Sequence, residues 1–229
     1  MQIDSHSGWC QGVQRCPSPN CNVRPDAEVS LLVIHNISLP PGEFGGGYVQ
    51  NFFQNTLDAS LHPYFSTIVE LKVSAHLFIE RDGKVTQFVP FDARAWHAGR
   101  SRWHQYAGLN ASSLGIEIVN LGYPTEDESL PAHLRRWQPY TRAQIAALGA
   151  LARELVDRYH IPPTQVLAHS DIAPERKQDP GPHFPWRQLY LEYGVGAWPD
   201  EARVAALLAS PLPEWNAAMW QQQLARYGY

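Results

Sequence analysis

Charge is scarce in this sequence: Asp, Glu, Lys and Arg make up 17% of its 229 residues, against about 25% in an average soluble chain. The net charge of −4 supplies no basic field, so nucleic acid is not an expected partner. No stretch approaches the ~18 consecutive apolar residues of a membrane span. The first residues, MQIDSHSGWCQGVQRC, lack a basic start followed by an apolar run, so no secretory signal is visible. A cytoplasmic location is therefore expected, or a periplasmic one if an export signal is missing from this chain. Cysteine is confined to Cys10, Cys16 and Cys21, ahead of the first strand, and an odd number argues against a complete disulfide framework. Reduced thiols in an N-terminal arm are the expectation; a Cys16–Cys21 disulfide and an adventitious metal site are the alternatives. Internal repeats and low-complexity tracts are absent as well.

What is present is a chain long enough to bury a full core, one domain with an appendage rather than two equal domains. Its 19 prolines and 8 tryptophans suggest long ordered loops with aromatics available for a groove. SLLVIHN (residues 30–36) reads as a buried strand, and the loop ISLPPGEFGGGY that follows is too broken for regular structure. Short helices are predicted over 49–57 and 63–70. KVSAHLFIERDGKVTQFVPF reads as a β-hairpin turning at Asp82-Gly83. SSLGIEIVN (residues 112–120) alternates as a strand does. Residues 121–140 have no periodicity and read as a surface excursion. Thr141 with Gln144 is a capping-box signature, and Ile145, Leu148, Ala152, Leu155 and Tyr159 keep one helix face apolar until Pro162-Pro163. QVLAHSD supplies a further strand and residues 186–193 a further helix. Strands interleaved with helices predict an α/β fold with one mixed central sheet flanked by helices.

The alternation places chemistry at strand ends. Glu117 points away from the face of Ile116 and Ile118, His169 shares a face with Leu167, and His35 ends its own strand. His35, His169 and Asp179 make a two-nitrogen, one-oxygen set, and three protein ligands with an open fourth position are the pattern of catalytic zinc. Glu117 can then move the proton and Lys177 stabilise a developing oxyanion. Spacing alone leaves a competing reading open, because a lone histidine is more often a hydrogen-bonded buried group than a ligand.

The segments LLVIHNISLPPGEFGG, HPYF, VSAHLFIERDG, QFVPFDARAWHAG, SLGIEIVN and HSDIAPERKQDPGP resemble the zinc N-acetylmuramoyl-L-alanine amidases of the AmpD type, a superfamily that includes peptidoglycan-recognition proteins. The resemblance runs in order from Val23 to Trp186. It implies zinc (Zn2+) held by His35, His169 and Asp179 at one edge of the sheet, a catalytic acid in Glu117 and a catalytic lysine in Lys177. It implies hydrolysis of the amide between (1,6-anhydro-)N-acetylmuramic acid and L-alanine in peptidoglycan recycling, with muropeptide or peptidoglycan as the partner; a monomer is expected. Substrate contacts fall on Asn36, Trp96 and His97, with the WHAG loop lining the groove. Lys72 stands where cytosolic relatives carry an arginine for a stem-peptide carboxylate, keeping the charge without the bidentate fork. His76 is read as supporting the site, and His62, His104, His133, His160 and His183 as solvent-facing or loop residues. The domains expected are an arm over 1–22, the catalytic domain over 23–195 and a helical extension over 196–229. The excursion and the tail look more like the exported AmiD type. WQQQLARYGY resembles the first helix of a peptidoglycan-binding module, or is simply an amphipathic helix packed on the domain. Action on intact wall and metal-free peptidoglycan binding are the alternative functions.

Overall fold

Two apolar faces on one strand explain the near-continuous run LLVIHNI. In the computed structural model, which describes residues 2–4, 7–25, 28–209, 211 and 214–229, that run lies between two parallel neighbours. The strands in chain order are β1 Gln14–Arg15, β2 Cys21–Val23, β3 Leu31–Ile37, β4 Leu77–Ile79, β5 Val85–Gln87, β6 Ala93–Ala95, β7 Arg102–Trp103, β8 Tyr106–Ala107, β9 Ser113–Val119 and β10 Val166–Ala168. The helices are α1 Tyr48–Phe53, α2 Phe65–Ile68, α3 Arg142–Tyr159, α4 His169–Ile172, α5 Trp186–Tyr193, α6 Glu201–Leu208 and α7 Ala217–Tyr227. Six strands form a mixed sheet in the order β1-β5-β4-β9-β3-β10. All its neighbours are parallel except the β4–β5 hairpin. The pairs β2–β6 and β7–β8 form separate antiparallel ribbons.

Along β3, Leu32 and Ile34 enter the main core under α3, while Leu31 and Val33 enter a second layer with Ala98, Trp103, Leu109, Leu167 and Ile172. A strand buried on both faces has no polar side to show, hence its composition. Helix α3 covers the first face with Ile145, Leu148, Leu151, Ala152, Leu155 and Val156. Burying each such Leu or Ile is worth about 1.5–3 kcal/mol. Its N-terminus is closed by the capping box: the Gln144 amide N–H donates to Thr141 Oγ1 at 3.1 Å, and the Thr141 N–H donates to Gln144 Oε1 at 3.1 Å. Gln144 Nε2 also donates to the Val119 carbonyl at 2.7 Å, tying helix to sheet. Gly83, at φ +85, lets the hairpin turn, and an added Cβ would stand 2.7 Å from the Ala143 carbonyl oxygen.

Several elements differ from the sequence reading. The two early helices are shorter than the spans 49–57 and 63–70, because Phe52, Phe53, Phe65 and Ile68 pack around Phe78 and Phe88 as separate short turns. Strand β10 ends at Ala168, and His169 begins α4 rather than continuing the strand; Asp171 Oδ2 accepts the Ala168 N–H at 2.8 Å and turns the chain. Residues 121–140 carry only two short 3-10 turns, yet the segment is anchored by buried Trp137 and by Asp127, which Arg136 grips through both carboxylate oxygens. Residues 14–23 supply an edge strand of the main sheet and one strand of a ribbon. All three cysteines are free thiols. Burial, with Glu154 nearby, pushes the Cys10 thiol up to about 11. The last helix returns over β7, where Tyr227 and Tyr229 meet Trp103 edge-on and the Tyr229 hydroxyl donates to Asp171 Oδ1 at 2.5 Å.

Candidate metal centre and active site

The register of β3 and β9 sets His35 directly beside Glu117 across the parallel ladder. Both project from the face opposite α3. On β9 the earlier residues of that face are Ser113 and Gly115, small enough to admit the His97 ring against the strand before Glu117. His169 comes from the first turn of α4, and the following loop folds back so that the Ser170 N–H donates to the Asp179 carbonyl at 3.0 Å. This brings Asp179 over His169.

Three donor atoms converge. His35 Nδ1 lies 2.9 Å from His169 Nδ1, His169 Nδ1 lies 2.9 Å from Asp179 Oδ2, and His35 Nδ1 lies 3.3 Å from that oxygen. Among the described residues this is the one group of three or more His, Cys, Asp or Glu side chains placed to share an ion. A tetrahedral zinc with bonds of about 2.0–2.1 Å would hold its ligand atoms roughly 3.3 Å apart. The triangle is therefore close to the size the ion demands, and its nitrogen and oxygen donors suit it.

Electrostatics separates the groups. Burial lowers His35 to about 4, with His169 and Lys177 adding to the effect and Asp179 opposing it. Burial opposes ionisation of Asp179, but hydrogen bonds from His169 and His35 hold it far below the usual carboxylate range. An imidazole held neutral at His35 and a carboxylate held ionised at Asp179 are in the protonation states a cation needs. Glu117 goes the other way. Burial and the charge of Asp179 raise it to about 8 against the pull of Lys177. Its Oε1 is 4.0 Å from His35 Nδ1, while its Oε2 is buried with no hydrogen-bond partner. A buried carboxylate oxygen without a donor calls for an explanation, and a reactive role supplies one.

These groups open into a cavity of about 360 Å3 lined by Asn36, His97, Glu117, His169, Lys177 and Asp179, with Phe52, Phe53, Tyr64 and Ile68 as its apolar wall. A larger cavity of about 520 Å3 lies beyond residues 37–39 and includes none of the three donors. Asn36 is oriented by donating to the Pro180 carbonyl at 3.1 Å and to Tyr140 Oη at 3.3 Å. Two sequence candidates are not brought in. Lys72 is exposed and does not line the cavity. Trp96 also lies outside the lining, its indole N–H donating to Asn22 Oδ1 at 3.2 Å. His76 is fully buried, accepts the Gly115 N–H at Nδ1 and meets Arg24 at Nε2. The sequence reading missed Tyr140, Arg24 and Asn110, none of which belongs to a short motif; their partners are carbonyls and amides distant in the chain.

Comparison with known proteins gives one consistent picture. Residues 25–182 match the family described as N-acetylmuramoyl-L-alanine amidase (Amidase_2). The 1,6-anhydro-N-acetylmuramyl-L-alanine amidase AmpD of Escherichia coli K12 is 47% identical over 183 residues, covering 80% of this chain and 92% of its own. A crystal structure of a selenomethionine AmpD derivative superposes with a TM-score of 0.73 at 45% identity, over 82% of this chain and 97% of that one. The E. coli amidase AmiD, in complex with anhydro-N-acetylmuramic acid-L-Ala-D-gamma-Glu-L-Lys, aligns with 100% of this chain and 77% of its own, at 35% identity and a TM-score of 0.66.

Proposed function

This chain belongs to the N-acetylmuramoyl-L-alanine amidase family and is of the AmpD type, and from that membership we propose a residue-level account of how it cleaves the amide between anhydro-N-acetylmuramic acid and L-alanine in peptidoglycan recycling. The observation that carries the account is the partnerless carboxylate oxygen of Glu117 beside the triangle of His35, His169 and Asp179.

Those three side chains would hold zinc, which when bound supplies Lewis acidity at the scissile carbonyl. Glu117 takes the proton of the attacking water and hands it to the departing alanine nitrogen, so that the C–N bond breaks to a lactyl carboxylate and a free amine. A carboxyl poised near neutrality suits both halves of that transfer. Lys177, on the same cavity wall, offers positive charge to the carbonyl oxygen as it becomes anionic. Asn36, held by Tyr140 and the Pro180 carbonyl, contributes a polar edge to substrate binding. Lys72 and Trp96, outside the cavity, reach only those parts of a muropeptide that extend beyond it.

We assign catalysis to residues 23–195 of a monomer, with 196–229 as a helical extension, and a cytoplasmic site of action on soluble fragments. No helix of the described residues is long and apolar enough to cross a membrane. Action on intact wall is the second reading, favoured by the full-length alignment with AmiD.

The test is product analysis by mass spectrometry with anhydro-muropeptide as substrate. Zinc-loaded protein releases the free stem peptide, and protein stripped by a chelator does not while keeping its circular dichroism. Metal-free protein with full turnover would overturn the account. His169→Ala is expected to remove the metal and the activity together.

A further inference from the structure

Both metal-facing histidines need a partner for the ring nitrogen that points away from the ion, since that contact sets the tautomer and the ring's orientation. Here both partners come from two consecutive residues. His35 Nε2 lies 2.9 Å from His97 Nδ1, and His169 Nε2 lies 3.3 Å from the Ala98 carbonyl oxygen. The dipeptide is itself clamped: the backbone N–H groups of His97 and Ala98 both donate to Asn110 Oδ1, at 3.0 and 2.7 Å. Two N–H donors on one atom require that atom to be the oxygen.

The protons then have one arrangement. With Nδ1 of His35 turned to the ion, its proton sits on Nε2 and is donated to His97 Nδ1. The His97 proton must therefore be on Nε2, where it is donated to Ser113 Oγ at 3.2 Å, and Ser113 in turn donates to the Leu109 carbonyl at 2.6 Å. Gly115 makes this possible, because an added Cβ there would stand 2.4 Å from His97 Cγ. Both ring nitrogens of His97 are thus engaged inside the protein, and neither remains to bind a muropeptide.

We infer that Asn110 and His97 are positioning residues for the metal centre: Asn110 clamps the 97–98 dipeptide, and the dipeptide holds the outer nitrogens of His35 and His169. The inference rests on the zinc amidase reading but concerns affinity for the ion, which is measured without substrate.

The experiment is competition for zinc between the full-length protein and a chromophoric chelator, with the thermal midpoint of the metal-free form recorded alongside. Asn110→Ala and His97→Leu are expected to weaken zinc binding roughly 10- to 100-fold, the usual effect of losing such a partner. Asn110→Asp keeps the accepting oxygen and His97→Asn keeps an acceptor near the Nδ1 position, so each is expected to recover most of the loss. That recovery is the readout a merely structural role would not give. If Asn110→Ala does not fold, the His97→Leu and His97→Asn pair makes the same comparison. Variants that bind zinc as tightly as the parent, or Asp and Asn replacements no better than Ala and Leu, would overturn the inference. Failure of the unmodified protein to bind zinc would instead overturn the reading beneath it.

Discussion

Glu117 is the residue on which chemistry and stability pull in opposite directions. Replacing it with Ala leaves the triangle of His35, His169 and Asp179 in place, so in the proposed account zinc affinity is expected to persist while turnover of anhydro-muropeptide falls by about 10²-fold or more. Lys177→Ala is expected to lower kcat similarly with little change in zinc content, because in the proposed account its charge serves mainly the transition state. The raised carboxyl has a second consequence. A group lifted from 4.5 to about 8 on folding binds its proton more tightly in the native state, so its stabilisation is full at low pH and lost as pH rises through 8. Glu117→Gln cannot ionise. In metal-free protein, the thermal midpoint of Glu117→Gln relative to wild type is therefore expected to climb between pH 5 and pH 8; a difference that stays flat would contradict the burial assigned to this side chain.

Local signals in the chain were legible where one element carried its own instructions. The capping box at Thr141 and Gln144 and the turn at Asp82-Gly83 each sit within a few residues, and both formed where the residues placed them. Thr141→Ala removes the acceptor for the Gln144 N–H and the donor to the Arg81 carbonyl. The expected cost is about 1 kcal/mol, or a fall of about 2–4 °C in Tm for a chain of this size. The end of β10 was not legible, because the apolar alternation through Leu167 suits a strand as well as the turn that Asp171 imposes. Alternation did set Glu117 apart from the face of Ile116 and Ile118, but its place beside His35 comes from the β3–β9 register. Their convergence with His169 and Asp179 depends on parallel pairing across distant segments, which spacing alone does not encode and which came into view through family resemblance. Asn110 and Arg24 act by side chain to backbone at long range and left no pattern to read.

At the scale of the molecule, the cavity of the His35, His169 and Asp179 triangle belongs to a chain that also carries an excursion held by the Asp127–Arg136 clasp and a tail docked on Trp103. The cavity, of about 360 Å3, is walled by Phe52, Phe53 and Tyr64, a volume that suits a fragment. Cleavage of anhydro-muropeptide is expected to exceed cleavage of purified sacculi by about tenfold or more in kcat/KM, or about 1.4 kcal/mol of discrimination. Arg136→Ala, which releases the clasp, is expected to narrow that ratio if the excursion limits access for long glycan strands. Equal rates on the two substrates in the unmodified protein would assign the enzyme to the wall instead.

The scattering of the donors along the chain also sets the order of events at the ribosome. His35 emerges early, but His169 follows 134 positions later and Asp179 ten after that. Until then only one of the three converging donors, His35, has been made, while β3, β4, β5 and β9 are already available to pair. Most of the apolar core is therefore supplied by segments that precede the completed triangle, and a metal held there would be a late arrival rather than a nucleus for collapse. Zinc starvation of producing cells should accordingly yield folded, inactive molecules that recover on addition of the ion, not a loss of soluble protein.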